Sequence, residues 1–335
     1  MTHLLDPLKV GCLRLRNRIV MPPMATNYAN GNGEVTEKLL NFYAARSQDL
    51  GLMIVEHSYI EPVGKASSNQ IGAHSDDLIP GLARLVDIVH DNETPIVLQL
   101  NHGGGTTKRE VTDTMPVAPS ALVHPIRGME IPHELTLEEI DDLIVSYADA
   151  ARRAKDAGFD AVEIHGAHGY LLCQFLSPAT NKRRDEYGGD LRSRARLPCK
   201  IIEAVKQNLG RAFPVIYRIG VTDLYPGGLT LKEGVEATRL LAEKGVDIID
   251  VSGGLCGSTP KRLSGPGFFV PHAKAVKNVV DIPVIGIGGI KTASEANDII
   301  ESGKVDLVAV GRAMLREAKW ATKAVEELSG SVLFE

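Results

Sequence analysis

The chain is poor in cysteine and aromatic residues. It has four cysteines, one tryptophan and 5% aromatics in 335 residues. Cys12, Cys173, Cys199 and Cys256 are scattered without CxxC spacing. That excludes a sequence-evident zinc or iron–sulfur site, so no metal is expected, and it fits reduced thiols in the cytosol. No run of about 18 apolar residues is present, so no membrane-spanning helix is expected. The opening MTHLLDPLKVGC lacks a charged start followed by an apolar run, so no secretory signal is read and a cytoplasmic location is expected. Positive charge is not in excess: 37 Lys and Arg stand against 42 Asp and Glu, a net charge of −5. A nucleic-acid partner needs a basic face and is not expected. Low-complexity tracts and composition shifts are absent, so nothing marks a domain boundary.

What is present is a large apolar fraction, 44%, enough for a sizeable core. The length suits two ordinary domains or one barrel with elaborated loops, because barrels use about 250 residues or more. A unit recurs along the chain: a short apolar run, a Gly-rich or polar stretch, then an amphipathic helix. The predicted strands are Arg18–Met24, Gly51–His57, Pro95–Asn101, Asp160–Gly166, Pro214–Gly220, Asp247–Gly254, Pro283–Gly289 and Val305–Arg312. Runs this short and this apolar suit parallel strands covered on both faces. Helices are predicted over Thr36–Asp49, Leu78–Asn92, Thr136–Ala157, Leu191–Leu209, Leu231–Lys244, Phe268–Val279, Thr292–Ser302 and Ala313–Leu328. Thr136 and Glu139 form a capping-box pattern. Gly158, Gly245 and Gly303 each stand where a helix ends before a buried strand. Alternating strands and helices imply parallel pairing, and eight units close into an α/β fold of the (β/α)8 TIM-barrel type. A doubly wound open sheet is the rival, weakened because no GxGxxG opens a helix after the first strand. The segment LLDPLKVGCLRLRN reads as an N-terminal hairpin that could plug the barrel. Long loops follow strands three (His102 to about Pro132) and six (Leu255–Pro271), where lids would sit. The expectation is one barrel domain over residues 1–335.

Polar residues collect at the strands' C-terminal ends, where barrels carry their chemistry. Gly288 and Gly289 follow strand seven, and Gly311 and Arg312 follow strand eight. Glycines there let backbone N–H groups approach an anion, and these two loops are the usual phosphate site of barrels. Strand four runs into His165-Gly-Ala-His168-Gly-Tyr170. Two imidazoles and a phenol there read as neutral donors that polarise a carbonyl, with the phenol as proton donor. A phenol titrates near about 10 and holds its proton at neutral pH. A metal site or two core histidines are the bland alternatives. Arg218, inside VIYRIG, needs a carboxylate partner or an anionic ligand if buried. Gln99, inside PIVLQLN, can donate and accept. Polar groups from strands three, four and five at one mouth suggest a planar, heteroatom-rich ligand with a phosphate tail, a description that flavin mononucleotide (FMN) fits.

The run from Val162 to Gly189, VEIHGAHGYLLCQFLSPATNKRRDEYGG, together with NRIVMPPM, LQLNHGG and a late Val-Gly-Arg in the same order, resembles the old yellow enzyme family of flavin-dependent oxidoreductases. The resemblance covers about Leu4 to Leu328. It implies noncovalent FMN, reduction by NADH or NADPH, and hydride transfer from flavin N5 to an activated alkene or similar acceptor: an enone, quinone or nitro compound. By position it implies that Pro23, Met24 and Ala25 line the flavin, that Gln99 and Arg218 bond its pyrimidine edge, and that Gly288, Gly289, Gly311 and Arg312 hold the phosphate with Ser252 and Gly253 close by. It gives His165 and His168 the acceptor's electron-withdrawing group and Tyr170 the proton. Departures stand beside these. Ala25 replaces a Cys or Thr common in relatives. His57 stands where a small residue is common and would crowd or bond the flavin edge. His102-Gly-Gly-Gly lacks the basic residue usual two positions after its first glycine. Relatives that reduce dienoyl-CoA carry a cysteine-rich loop and further domains, neither of which is found by Glu335. The tail SGSVLFE has no arginine to reach a neighbour's site, and a homo-oligomer is compatible with a sequence that sets no subunit number.

Several functions therefore stand open. One is the small-molecule oxidoreductase just described, with a dienoyl-CoA reductase-like or NADH oxidase activity as its variants. Another is a flavin-free phosphate-binding barrel enzyme that uses the His pair. The last is a catalytically inactive binding protein. Trp320 and Cys173 read as core residues, and Lys182–Arg184 as a solvated loop with ion pairs to Asp185 or Glu186.

Overall fold

The computed structural model describes residues 2–331; the part of the tail from residue 332 on lies outside them. Twelve strands follow in chain order. The hairpin is β1 (Leu8–Val10) and β2 (Leu13–Leu15). The first barrel strands are β3 (Ile19–Met21), β4 (Leu52–Tyr59) and β5 (Ile96–Asn101). A small pair in the long loop is β6 (Val117–Ala118) and β7 (His133–Glu134). Then come β8 (Ala161–Gly166), β9 (Val215–Gly220), β10 (Ile248–Ser252), β11 (Val284–Ile287) and β12 (Leu307–Ala309). Eight of them, β3, β4, β5 and β8 to β12, pair in parallel in chain order and close where β12 meets β3. This is the expected TIM barrel, with all eight predicted strands in it and the predicted hairpin ahead of them.

Period two along each strand divides the side chains. Val20, Leu52, Ile54, Val97, Ala161, Ile216, Ile248, Ile285 and Leu307 fill the barrel's lower interior, and Val10, Leu13 and Leu15 of the hairpin pack against them. The hairpin therefore closes the N-terminal mouth. The alternate residues meet the helices in the larger outer core. Two positions further up the strands, the inward residues change character: Gln99, Glu163, Arg218 and Asp250, all buried.

The expected capping box forms at Thr136–Glu139, and two further ones form at Thr230–Glu233 and Thr292–Glu295. Gly158 has φ +95° and follows the helix Leu137–Asp156, a left-handed position that L side chains resist. Boundaries moved for physical reasons. The first barrel strand stops at Met21 instead of Met24, because Pro22 and Pro23 have no N–H for the ladder. The helix predicted over Leu191–Leu209 divides into Leu191–Arg194 and Arg196–Leu209. Pro198 offers no N–H to the Arg194 carbonyl, and its ring opposes that turn. The last helix divides into Arg312–Arg316 and Trp320–Ser331. Among the described residues, no helix is long and apolar enough to cross a membrane.

Candidate active site

The C-terminal mouth of the barrel holds a cavity of about 800 Å³. Its wall carries Pro23, Met24 and Ala25 after β3, His57 on β4, Gln99 on β5, and His165, His168 and Tyr170 at and beyond the end of β8. Arg218 on β9, Gly288 and Gly289 after β11, and Gly311 and Arg312 after β12 complete it. Residues from seven different strands or strand ends thus meet in one space. Ser252 and Gly253 are placed otherwise. Ser252 Oγ lies 2.7 Å from His168 Nε2, and the Gly253 carbonyl accepts from His168 N–H at 2.9 Å. Both sit behind His168 instead of on the cavity wall.

The floor is a buried polar layer set by strand register. Gln99 faces Glu163 across β5 and β8, and Nε2 donates to Glu163 Oε1 at 2.6 Å. Arg218 faces Asp250 across β9 and β10, with Nε 3.1 Å from Oδ2. The Arg218–Asp250 contact is an ion pair without hydrogen-bond alignment, since Arg218 Nε and both Asp250 oxygens keep unfilled hydrogen-bond capacity. Glu163 Oε2 is also buried without a partner. Burial pushes the pKa of Glu163 up, Asp250's charge adds to that, and Arg218 opposes it. Burial raises Asp250 too, again against Arg218. Buried groups this unsatisfied belong beside a polar ligand.

On β8, next to Arg218 in the ladder, burial drives His165 well below its ordinary pKa, with the charge of its neighbour His168 adding to the shift. His168 falls well below it as well, by burial and then by the charges of Arg218 and Arg127. Both imidazoles are neutral at pH 7. His165 Nδ1 accepts from Ala167 N–H at 3.4 Å, so its proton sits on Nε2. The Ser252 hydroxyl can donate to His168 Nε2, which leaves a proton for Nδ1. The His165 ring stands 5.0 Å from His168 and 5.1 Å from Tyr170. His168 adopts φ +58°, the turn that swings its ring toward the mouth.

After β11, a Cβ on Gly288 would lie 2.8 Å from the Phe268 ring, and one on Gly289 would lie 2.4 Å from the Gly265 carbonyl oxygen. Side chains are excluded, and the backbone N–H groups of Gly288 and Gly289 donate to no acceptor among the described residues. A cradle of bare N–H groups beside Arg312 suits a phosphate. One cavity holds donor and acceptor groups for a planar heterocycle together with an anion cradle, so the residues fit FMN.

Sequence reasoning missed the roof. Ile126 and Arg127, from the loop after β5, line the cavity. The Arg127 guanidinium lies 4.7 Å from the centre of the Tyr170 ring, and its Nη2 donates to the His168 carbonyl. A basic residue therefore reaches the site from within the loop whose start lacked one. Arg183 was expected in a solvated run with an ion pair to Asp185 or Glu186; it does pair with Asp185, at 2.6 Å, but it is buried and donates from Nη1 to the carbonyls of Pro119 and Leu135, on either side of the Ile126–Arg127 turn. Trp320 is buried as expected, and it also reaches the cavity wall. Cys173 is buried, with its thiol pKa pushed well up by burial. Nothing short-range in the sequence points to Arg127 or Trp320.

Residues 3–330 match the model of the NADH:flavin oxidoreductase / NADH oxidase family. The chain belongs to that family. It is 41% identical to an NADH oxidase of Thermoanaerobacter brockii, over 97% of this chain and 52% of the relative. A structure of 2-naphthoyl-CoA reductase with 2-naphthoyl-CoA superposes with a TM-score of 0.92 at 25% identity, covering 97% of this chain and 52% of that one. An old yellow enzyme homologue from Zymomonas mobilis superposes with a TM-score of 0.85 at 28% identity, over 97% and 93% of the two chains. The chain spans about half the length of the curated relatives it matches. The resemblance to old yellow enzymes read from the Val162–Gly189 run is thus met by the family, the fold and the neighbours together.

Proposed function

We propose that this chain is an FMN-dependent NAD(P)H oxidoreductase that reduces an activated alkene or a similar acceptor such as an enone, quinone or nitro compound. The observation that carries the reading is the grouping of two neutral imidazoles and a phenol at the end of β8 in the same cavity as the Gly288–Gly289 cradle, Gln99 and Arg218. FMN, when bound, would supply two-electron hydride chemistry between the nicotinamide and the acceptor. The chain's own groups do the rest. Gln99 is held by Glu163, so its amide presents Oε1 to the cavity as an acceptor. Arg218 would place its positive charge at the edge of the bound ring. His165 and His168 bind the acceptor's electron-withdrawing oxygen and draw electrons from the double bond. Tyr170, whose hydroxyl has no hydrogen-bond partner among the described residues, delivers the proton to the carbon next to the withdrawing group. The irregular loops after β5 and β10 keep water from the site and choose between NADH and NADPH. Four free cysteines suit a reducing compartment, and we place the chain in the cytoplasm.

The test is a visible spectrum of the purified chain, repeated without oxygen after NADH or NADPH is added. A flavin spectrum that bleaches supports the reading. A colourless chain that stays colourless with added FMN removes it. In Tyr170→Phe, alkene reduction should fall by about 10²-fold or more, while reoxidation by a quinone or oxygen falls far less. Equal losses would show that Tyr170 is not the proton donor. A thioester acceptor is the second reading, favoured by the 2-naphthoyl-CoA in the similar structure and by Lys291, Arg312 and Arg316 at the cavity. An unsaturated acyl-CoA should then outcompete the same acyl group on a short, uncharged thiol.

A further inference from the structure

Strand β4 breaks its own alternation beside the cavity. Leu52 and Ile54 face the barrel interior, whereas Met53 and Val55 face the helices. Continued period two would turn Glu56 inward and His57 outward. The register with β5 slips between Val55 and Ser58, and the order reverses. Glu56 turns to Tyr43 on the helix Glu37–Ala44, where Tyr43 Oη donates to Oε2 at 3.4 Å. His57 turns into the cavity. A bulge next to a site commonly serves to re-aim one side chain.

The residue behind His57 fixes which nitrogen carries its proton. Ala66 N–H donates to Gln70 Oε1 at 2.6 Å, so the other amide atom is Nε2. That nitrogen donates to the His57 carbonyl at 3.0 Å and meets His57 Nδ1 at 2.6 Å. An amide NH₂ can only donate, so Nδ1 accepts and is bare. The neutral ring then holds its proton on Nε2. Burial, helped by the charges of Arg127 and Arg218, brings the His57 pKa down to about 4, so the neutral form stands at pH 7. Nε2 has no hydrogen-bond acceptor among the described residues, and the ring lies 5.5 Å from that of Tyr170.

We propose that His57 is a third hydrogen-bond donor of this site, a specificity-determining residue whose Nε2–H, set by Gln70, binds a carbonyl-type oxygen of the ligand in the cavity. The nature of that ligand rests on the proposed function; the tautomer does not. The oxygen belongs either to the flavin ring or to the acceptor, and the experiment separates the two.

The holoenzyme is labelled with ¹⁵N-histidine and its imidazole resonances are recorded at pH 7. The expected pattern for His57 is a protonated Nε2 and a bare Nδ1, with Nδ1–H appearing in Gln70→Leu. A proton on Nδ1, or on both nitrogens, in the wild type overturns the inference. His57→Phe keeps a ring of similar bulk and loses the donor. About a tenfold loss is expected in one of two affinities. A rise confined to the KM for 2-cyclohexenone assigns the oxygen to the acceptor. A rise in the Kd for FMN with a shifted flavin band assigns it to the cofactor. If neither constant moves, the donor role is overturned. A chain that takes up no FMN overturns the proposed function, whereas Nδ1 protonation in the flavin-loaded protein overturns this inference alone.

Discussion

At the scale of single residues, the site is built on charges and polar atoms that a barrel interior normally excludes. Arg218 sets its positive charge against two buried carboxyl groups, Glu163 and Asp250, whose pKa values are already raised by burial. Removing one member of a buried ion pair leaves an uncompensated charge, which costs about 3–5 kcal/mol. Arg218→Met should therefore lower the unfolding free energy by roughly that amount in chemical denaturation. Adding Asp250→Asn should restore part of it, because the stranded carboxylate is then gone. No recovery in the double variant would mean that Asp250 is not the dominant partner. Gln99, Arg218 and His165 were legible in the sequence because they stand in the C-terminal halves of β5, β9 and β8, where position along the strand predicts the direction of the side chain, and His168 and Tyr170 because they follow β8 directly. His57 was legible as an unusual residue, but its role was not, because a bulge reverses the alternation there. The tautomers of His57 and His165 depend on Gln70 and on a backbone N–H, which only folding brings to them.

At the scale of elements, the loop after β5 decides whether the cavity is covered. Its turn is tied by His124, whose Nδ1 accepts from Ile126 N–H at 3.3 Å and Arg127 N–H at 3.1 Å. Burial, reinforced by the Arg127 charge, lowers the His124 pKa from 6.5 to about 4. The unfolded chain therefore binds a proton below about 6.5 that the folded chain refuses until about 4, and stability falls as pH drops through that window. Protonated Nδ1 also cannot accept from either N–H. The thermal midpoint should fall between pH 7 and pH 5, with faster amide exchange over residues 123–128. His124→Asn keeps an acceptor oxygen without a titrating group and should reduce the acid loss. An unchanged slope in that variant would show that the loop does not titrate through His124. The same scale shows what strand and helix patterns could and could not say. Capping boxes and end-of-helix glycines act locally, so those signals read true. The division of a helix at Pro198 and the early end of the first barrel strand are also local effects, of proline. The pinning of the loop by Arg183 is not local: its guanidinium reaches carbonyls at residues 119 and 135 from a position that reads as a charged surface run.

At the scale of the whole molecule, a cavity of about 800 Å³ in the barrel mouth, with orphaned polar atoms on its floor, marks a protein completed by its ligand. A ligand that binds only the folded state stabilises it by mass action, about 2.7 kcal/mol at a hundred times Kd. FMN added to flavin-depleted protein should raise the thermal midpoint with a logarithmic dependence on concentration, and riboflavin, which lacks the phosphate, should raise it less. Equal shifts would mean that the Gly288–Gly289 cradle and Arg312 do not hold a phosphate. The sequence by itself determined the eight alternating units, the hairpin plug and the polar strand ends. Each is written in near-neighbour periodicity and in punctuation by glycine, proline and caps, which act within a few residues. Only the tertiary structure decided that Arg127 and Trp320 share a wall with residues far away in the chain, that Ser252 supports His168, and that His57 faces inward. Those outcomes depend on closing the barrel and folding its long loops over the mouth, where contacts are made between segments whose separation no local pattern encodes.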